Sequence, residues 1–133
     1  MRRLITALAT VVFGLLFSGI AHAGSPHFVD DTVAVVADGG TLTVSGKEAG
    51  LGNELQVHVV ATATAECVNP GGNKPSAANK QVVSAEGDFP VQSGHAEFSL
   101  TLTAVFQPSC SPPMSLEWGP VTLQDVTHNV TWP

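Results

Sequence analysis

Two stripes of alternating residues set the limits on what this chain can fold into. From Glu54 to Cys67, the residues Leu55, Val57, Val59, Ala61, Ala63, Ala65 and Cys67 share one parity, and Gln56, His58, Thr62, Thr64 and Glu66 share the other. From Ala96 to Phe106, the residues Phe98, Leu100, Leu102, Ala104 and Phe106 alternate with Glu97, Ser99, Thr101 and Thr103. Successive side chains of an extended chain point to opposite faces, so each stripe marks a strand with one buried face and one wet face. No window carries a sustained helical period, and Val, Thr, Ala, Gly and Ser dominate. The domain is therefore expected to be all-β.

Shorter segments fill in the pattern. Asp31 to Ala37 and Thr41 to Gly46 flank Asp38-Gly39-Gly40, which reads as a hairpin. Lys47 to Asn53 is a glycine-containing connection, and the Pro-, Gly- and Asn-rich run from Cys67 to Lys80 is a long loop. Gln81 to Ala85 reads as a short strand, Gly87-Asp88 as a turn and Phe89 to Gln92 as an edge piece. Ser93-Gly94 turns the chain again, Met114 to Trp118 alternates, and Val121 to Trp132 finishes it after the Gly119-Pro120 kink. About seven strands joined by turns predict an antiparallel, immunoglobulin-like β-sandwich, with a closed barrel as the alternative.

The N-terminal segment predicts an address. Arg2 and Arg3 precede an apolar run from Leu4 to Phe17, and Ala21-His22-Ala23 supplies the small residues that signal peptidase requires. The run is shorter than the ~20 residues that span a bilayer. Residues 1–23 are thus expected to be a cleaved signal peptide of the general secretory type. Residues 24–133 would then be one secreted, extracellular, monomeric domain with no membrane anchor. Cleavage removes both arginines and leaves Lys47, Lys74 and Lys80 against eleven acidic residues. Nucleic acids and anionic membranes need clustered basic residues, so both are excluded as partners. In an oxidising compartment Cys67 and Cys110 read as a disulfide. Both lie at or just past the end of a strong strand, so the bridge should staple two loops at one pole.

Signals for chemistry are sparse. His27, His58, His95 and His128 show no zinc-ligand spacing. Pro26 lacks the amide hydrogen that an N-terminal copper site at His27 would need. His58 is expected to face solvent and His128 to be a semi-buried structural residue. Asp30-Asp31, Asp38 and Asn53-Glu54 lie near strand ends, but no calcium-loop motif is present. No metal and no cofactor are expected. Nucleophile-elbow, zinc-protease and phosphate-loop motifs are absent, so the chain is read as a non-enzyme. Trp118 and Trp132, with no Tyr in the chain, suit core or rim packing better than a glycan platform.

Binding is the remaining class. The long loop places Asn69, Asn73, Lys74, Asn79 and Lys80 where a stapled scaffold usually carries recognition residues. The chain is therefore expected to be a binding or surface-associated structural module for an extracellular protein, glycan or small molecule. The Ala61-Ala63-Ala65 stripe suggests a second possibility, a small-molecule carrier with a cleft between sheets. A secreted enzyme inhibitor is a third.

The runs Gly46-Lys-Glu-Ala-Gly-Leu-Gly-Asn53 and Cys67-Val-Asn-Pro-Gly-Gly-Asn-Lys-Pro-Ser-Ala-Ala-Asn-Lys80 resemble those of small secreted actinobacterial proteins of unknown function. That resemblance implies a secreted β-sandwich and transfers no site. A looser likeness, of class rather than motif, is to the acidic antibiotic-carrier apoproteins of the neocarzinostatin type. Those hold two disulfides, whereas this chain allows one.

Overall fold

Cross-strand pairing in the computed structural model, which describes residues 25–70 and 79–133, is antiparallel throughout. The predicted signal peptide, residues 1–23, lies outside the described residues, as do Asn73 and Lys74. The strands are β1 (His27–Phe28), β2 (Ala34–Asp38), β3 (Thr41–Ala49), β4 (Gln56–Val68), β5 (Lys80–Gln92), β6 (His95–Thr103), β7 (Ser115–Trp118), β8 (Thr122–Asp125) and β9 (Val130–Trp132). A 3-10 turn, Asp30–Thr32, separates β1 from β2.

The strands follow the order β1-β3-β6-β5-β4-β8-β9, with β2 also on β3 and β7 also on β4. Between β5 and β6 only Val91↔Ala96 and Gln92↔His95 are paired, at the tight Ser93-Gly94 turn. At the other end of the path β1 lies against β9, so the sheet nearly closes into a barrel. Among the described residues no helix is long and apolar enough to cross a membrane.

Apart from Leu55, both stripes turn to the interior as strand geometry requires. Val57, Val59, Ala61, Ala63 and Ala65 from β4 meet Phe98, Leu100 and Leu102 from β6 in one core, with Leu42 and Val44 from β3 and Leu123 from β8. The alanine stripe is packed within this core, where small side chains let the opposing strands approach.

Several local expectations are corrected. Among the described residues there are nine short and long strands rather than about seven. Gly87-Asp88 is not a turn: β5 runs unbroken from Lys80 to Gln92, and Gly87 pairs with Val59. A Cβ at Gly87 would lie 3.3 Å from the Phe89 ring, so the missing side chain makes room for that aromatic group. Val121 to Trp132 is two strands, because residues 126–129 reverse the chain, with Asn129 at φ 56°. Asp31 and Thr32 sit in the 3-10 turn rather than in a strand. Leu55 does not join the inward stripe and is 88% exposed. Gly50 at φ 76° and Gly52 at φ 61° bend the preceding loop so that Leu51 is buried at this end instead.

Gly46 carries a stability prediction. A Cβ there would meet Phe98 Cζ at 2.9 Å and the Val33 backbone at 3.2 Å. Phe98 is already fixed edge-on against Phe28, with centroids 5.6 Å apart, and against Phe89 at 6.2 Å. Gly46→Ala is expected to cost about 1–3 kcal/mol by overpacking. Equilibrium urea unfolding should show it as a lower midpoint with an unchanged slope.

Candidate functional site

At the pole away from the disulfide, two facing strands each end their inward stripe on an acid. On β3 the inward parity runs Leu42, Val44, Gly46, Glu48. On β8 Leu123 and Asp125 point inward. Glu48 and Asp125 are both 0% exposed. Val59 of β4 lies beside Asp125, while Cys67 near the other end of β4 lies beside Leu116. At ~3.3 Å per residue the acid pole and the disulfide pole are therefore roughly 26 Å apart along one strand.

Asp125 organises the turn that follows it. Its Oδ1 accepts the backbone N–H groups of Thr127 at 2.8 Å and His128 at 3.1 Å, and its Oδ2 lies 2.6 Å from His128 Nδ1. The backbone N–H of Val126 donates to His58 O at 3.1 Å, and the His58 N–H donates to Thr127 Oγ1 at 3.1 Å, tying the turn to β4. His128 Nε2 lies 2.7 Å from Glu54 Oε1. With a carboxylate on each ring nitrogen, His128 is arranged as a doubly donating imidazolium. The result is a chain of groups from inside to outside: Glu48, Asp125, His128 with its side chain 18% exposed, and Glu54 at 41%.

Glu48 is the anomaly. No neighbouring donor reaches Oε1 or Oε2, although both are buried, and the carboxyl meets Asp125, to which it can hydrogen-bond only by donating its own proton. Burial pushes its pKa up to about 9, reinforced by the adjoining Asp125 carboxyl and by the charge on Glu54. Burial also acts to raise Asp125, but contact with Glu48 and the hydrogen bonds from His128 outweigh it and hold Asp125 below its ordinary value. Burial acts to lower His128, yet its bonds to Asp125 and Glu54 win and raise it. The interior thus holds a protonated carboxyl beside an ionised one, with an imidazolium bridging to the surface.

Glu48 and Asp125 present no surface to a substrate, and the cluster itself contains no hydroxyl or thiol nucleophile. What can reach the two acids by way of His128 is a proton or a small ion. Beside the cluster, the Gly50–Leu55 loop and the β5–β6 hairpin enclose an open groove of about 610 Å³, lined among others by Gly50, Gly52, Glu54, Leu55, Gly94 and His95. Its walls are held together by backbone bonds from Leu51 N–H to Gly94 O and from Val91 N–H to Leu55 O, both 3.0 Å.

Of the residues weighed in the sequence, Glu54 and His128 belong to this cluster, whereas the expected disulfide and binding residues lie elsewhere. Cys67 and Cys110 are bonded, with Cα atoms 5.7 Å apart. At that pole Asn69 is exposed, Asn79 is half-buried, and Lys80 lies 3.6 Å from Glu66. Trp118 and Trp132 both pack against the core, and Trp118 Nε1–H donates to Gly39 O at 3.2 Å. His58 is engaged on its own face, with Nδ1 2.7 Å from Asp88 Oδ1 and Nε2 3.6 Å from Glu86.

Sequence reasoning passed over Glu48 because it ended the strand at Gly46 and placed Glu48 in a connection. The signal was present: inward parity continues two residues past Gly46, and β3 runs to Ala49. No family model, curated protein or solved structure matches this chain.

Proposed function

We propose that this protein is a secreted, non-enzymatic binding module of immunoglobulin-like type, and that it recognises an extracellular protein or peptide at the acid pole. The observation that carries this reading is Leu55. It is 88% exposed on the rim of the groove, yet it sits on a loop pinned by backbone hydrogen bonds rather than on a fraying end. An aliphatic side chain held rigidly in water loses little further entropy when a partner covers it. Both tryptophans face the core, which favours a protein partner over a stacked sugar. The sandwich reading is supported by the scant pairing between β5 and β6, which leaves two sheets joined mainly at one hairpin.

The test is retention of a defined partner fraction on immobilised protein, using the culture medium and cell-wall extract of the producing cells. Leu55→Asp is expected to lower retention of the bound component about tenfold or more, as loss of a central apolar anchor does. Val105→Asp changes another exposed aliphatic residue, 61% accessible and outside this groove, and should leave retention intact. Scrambling residues 70–78 is the third arm. Loss of retention there, with Leu55→Asp unaffected, would move the site to the disulfide pole and overturn the groove.

A further inference from the structure

The core of a small domain rarely keeps a carboxyl group that nothing satisfies, because an unpaired buried polar group costs free energy that a hydrophobic residue would not. Glu48 is fully buried, no neighbouring donor reaches either of its oxygens, and its side-chain hydrogen bond is to another acid, Asp125, through its own proton. It is aimed at Asp125 and His128, and one ligand atom from each of the three residues lies within 4.8 Å of the others. We propose that Glu48, Asp125 and His128 Nδ1 are the ligands of a divalent transition-metal ion of the zinc class, with Glu54 orienting the imidazole from outside. The site goes beyond the groove described above and stands or falls separately from it.

The donor set selects the metal. Two carboxylates and one imidazole suit zinc and its first-row neighbours, whereas calcium and magnesium take oxygen donors. Ligand bonds of ~2.0–2.2 Å place neighbouring donors of a tetrahedral zinc ion roughly 3.3 Å apart. The 2.6 Å between Asp125 Oδ2 and His128 Nδ1 is a hydrogen-bond distance, so the ion takes the place of the proton there, and the pair opens by about 0.7 Å. Glu48 gives up the proton it shares with Asp125 and ligates the ion instead.

The surroundings support a cation. Among the described residues no lysine forms an ion pair with Glu48, Asp125 or Glu54, so the positive charge balancing these acids is His128 alone. The 2.7 Å contact from Glu54 to His128 Nε2 is the outer carboxylate that metal-bound histidines ordinarily use to fix ring orientation. The partly exposed His128 ring gives the ion a route in from the surface.

The test uses the full, disulfide-bonded protein stripped with chelator and titrated with zinc chloride alone. Calorimetry is expected to show one zinc per chain. Glu48→Gln and His128→Gln should each weaken binding by about tenfold to 100-fold. Cobalt chloride should give visible ligand-field absorption in the parent protein that both variants lose. His58→Ala removes the other histidine–acid cluster and should change neither result. If Glu48→Gln fails to fold, the selective shift of His128 ring resonances in the parent protein on zinc addition carries the decision. Absence of zinc uptake by the folded parent at millimolar zinc overturns the site. So does uptake that survives both variants, or zinc displaced by an equal concentration of calcium.

Discussion

Metal-free protein is expected to lose stability steadily as the pH rises from 5 toward 9, and Glu48→Gln to remove most of that loss. Glu48 is raised from 4.5 to about 9 in the folded chain, so the folded state holds a proton that the unfolded state has released across that window. A group with a raised folded pKa contributes its full stability below its unfolded value and loses it as the pH climbs to the folded one. One proton corresponds to at most about 1.4 kcal/mol per pH unit. For a domain of this size that is on the order of 5 °C in Tm per unit. His128, also raised, acts in the same direction from its ordinary value of 6.5 upward. Asp125 acts in the opposite sense: its lowered pKa contributes stability above 3.8, which is lost as the pH falls through its folded value. The optimum therefore lies in mild acid. Glutamine keeps the shape of Glu48 and stays neutral at every pH. Glu48→Gln should melt above the parent at pH 8–9 and show a flatter profile by circular dichroism in chelator. A parent profile with no decline above pH 6, or a variant with the parent slope, would show that Glu48 is ionised in the fold.

Removing the disulfide should have an effect of similar size at a single pH. The Cys67–Cys110 bond closes a loop with a sequence separation of 43. Loop-closure entropy assigns that constraint about 4 kcal/mol, acting on the unfolded chain. Set against the 5–15 kcal/mol of a typical domain, this is a large fraction. Cys67 is 3% exposed and its sulfur lies 3.8 Å from Met114 Sδ, so alanine is the replacement that avoids burying a hydroxyl. The double variant Cys67→Ala, Cys110→Ala is expected to melt roughly 15–30 °C below the parent. A drop under about 5 °C would mean that the unfolded chain already holds these two segments together.

The two ends of the molecule differ in how they could be read from sequence. The stripe from Val57 to Cys67 could be followed residue by residue, since alternation on an isolated strand already separates buried from exposed faces. The hairpins at Gly39 and at Ser93-Gly94 could be read for a similarly local reason, the backbone conformations that those turns demand. Gly87 misled because a glycine inside a strand and a glycine in a turn look alike until a neighbour such as the Phe89 ring is seen to fill the space. Leu55 misled because parity says nothing about where a strand's pairing begins. Here pairing starts at Gln56, opposite Pro90.

Alternation and cysteine count are properties of the chain, and they suffice for an all-β domain, its two central strands and the one available disulfide. The gathering of Glu48, Glu54, Asp125 and His128 into one cluster is a product of the folded packing alone. They come from β3, the loop before β4, the end of β8 and the turn after it, with Glu54 and His128 separated by 74 residues and Glu48 and Asp125 by 77. No local pattern can bring such positions together. The near-closure of the sheet sets β3 and β8 face to face, and the low dielectric between them gives an ordinary glutamate the proton affinity of a far weaker acid.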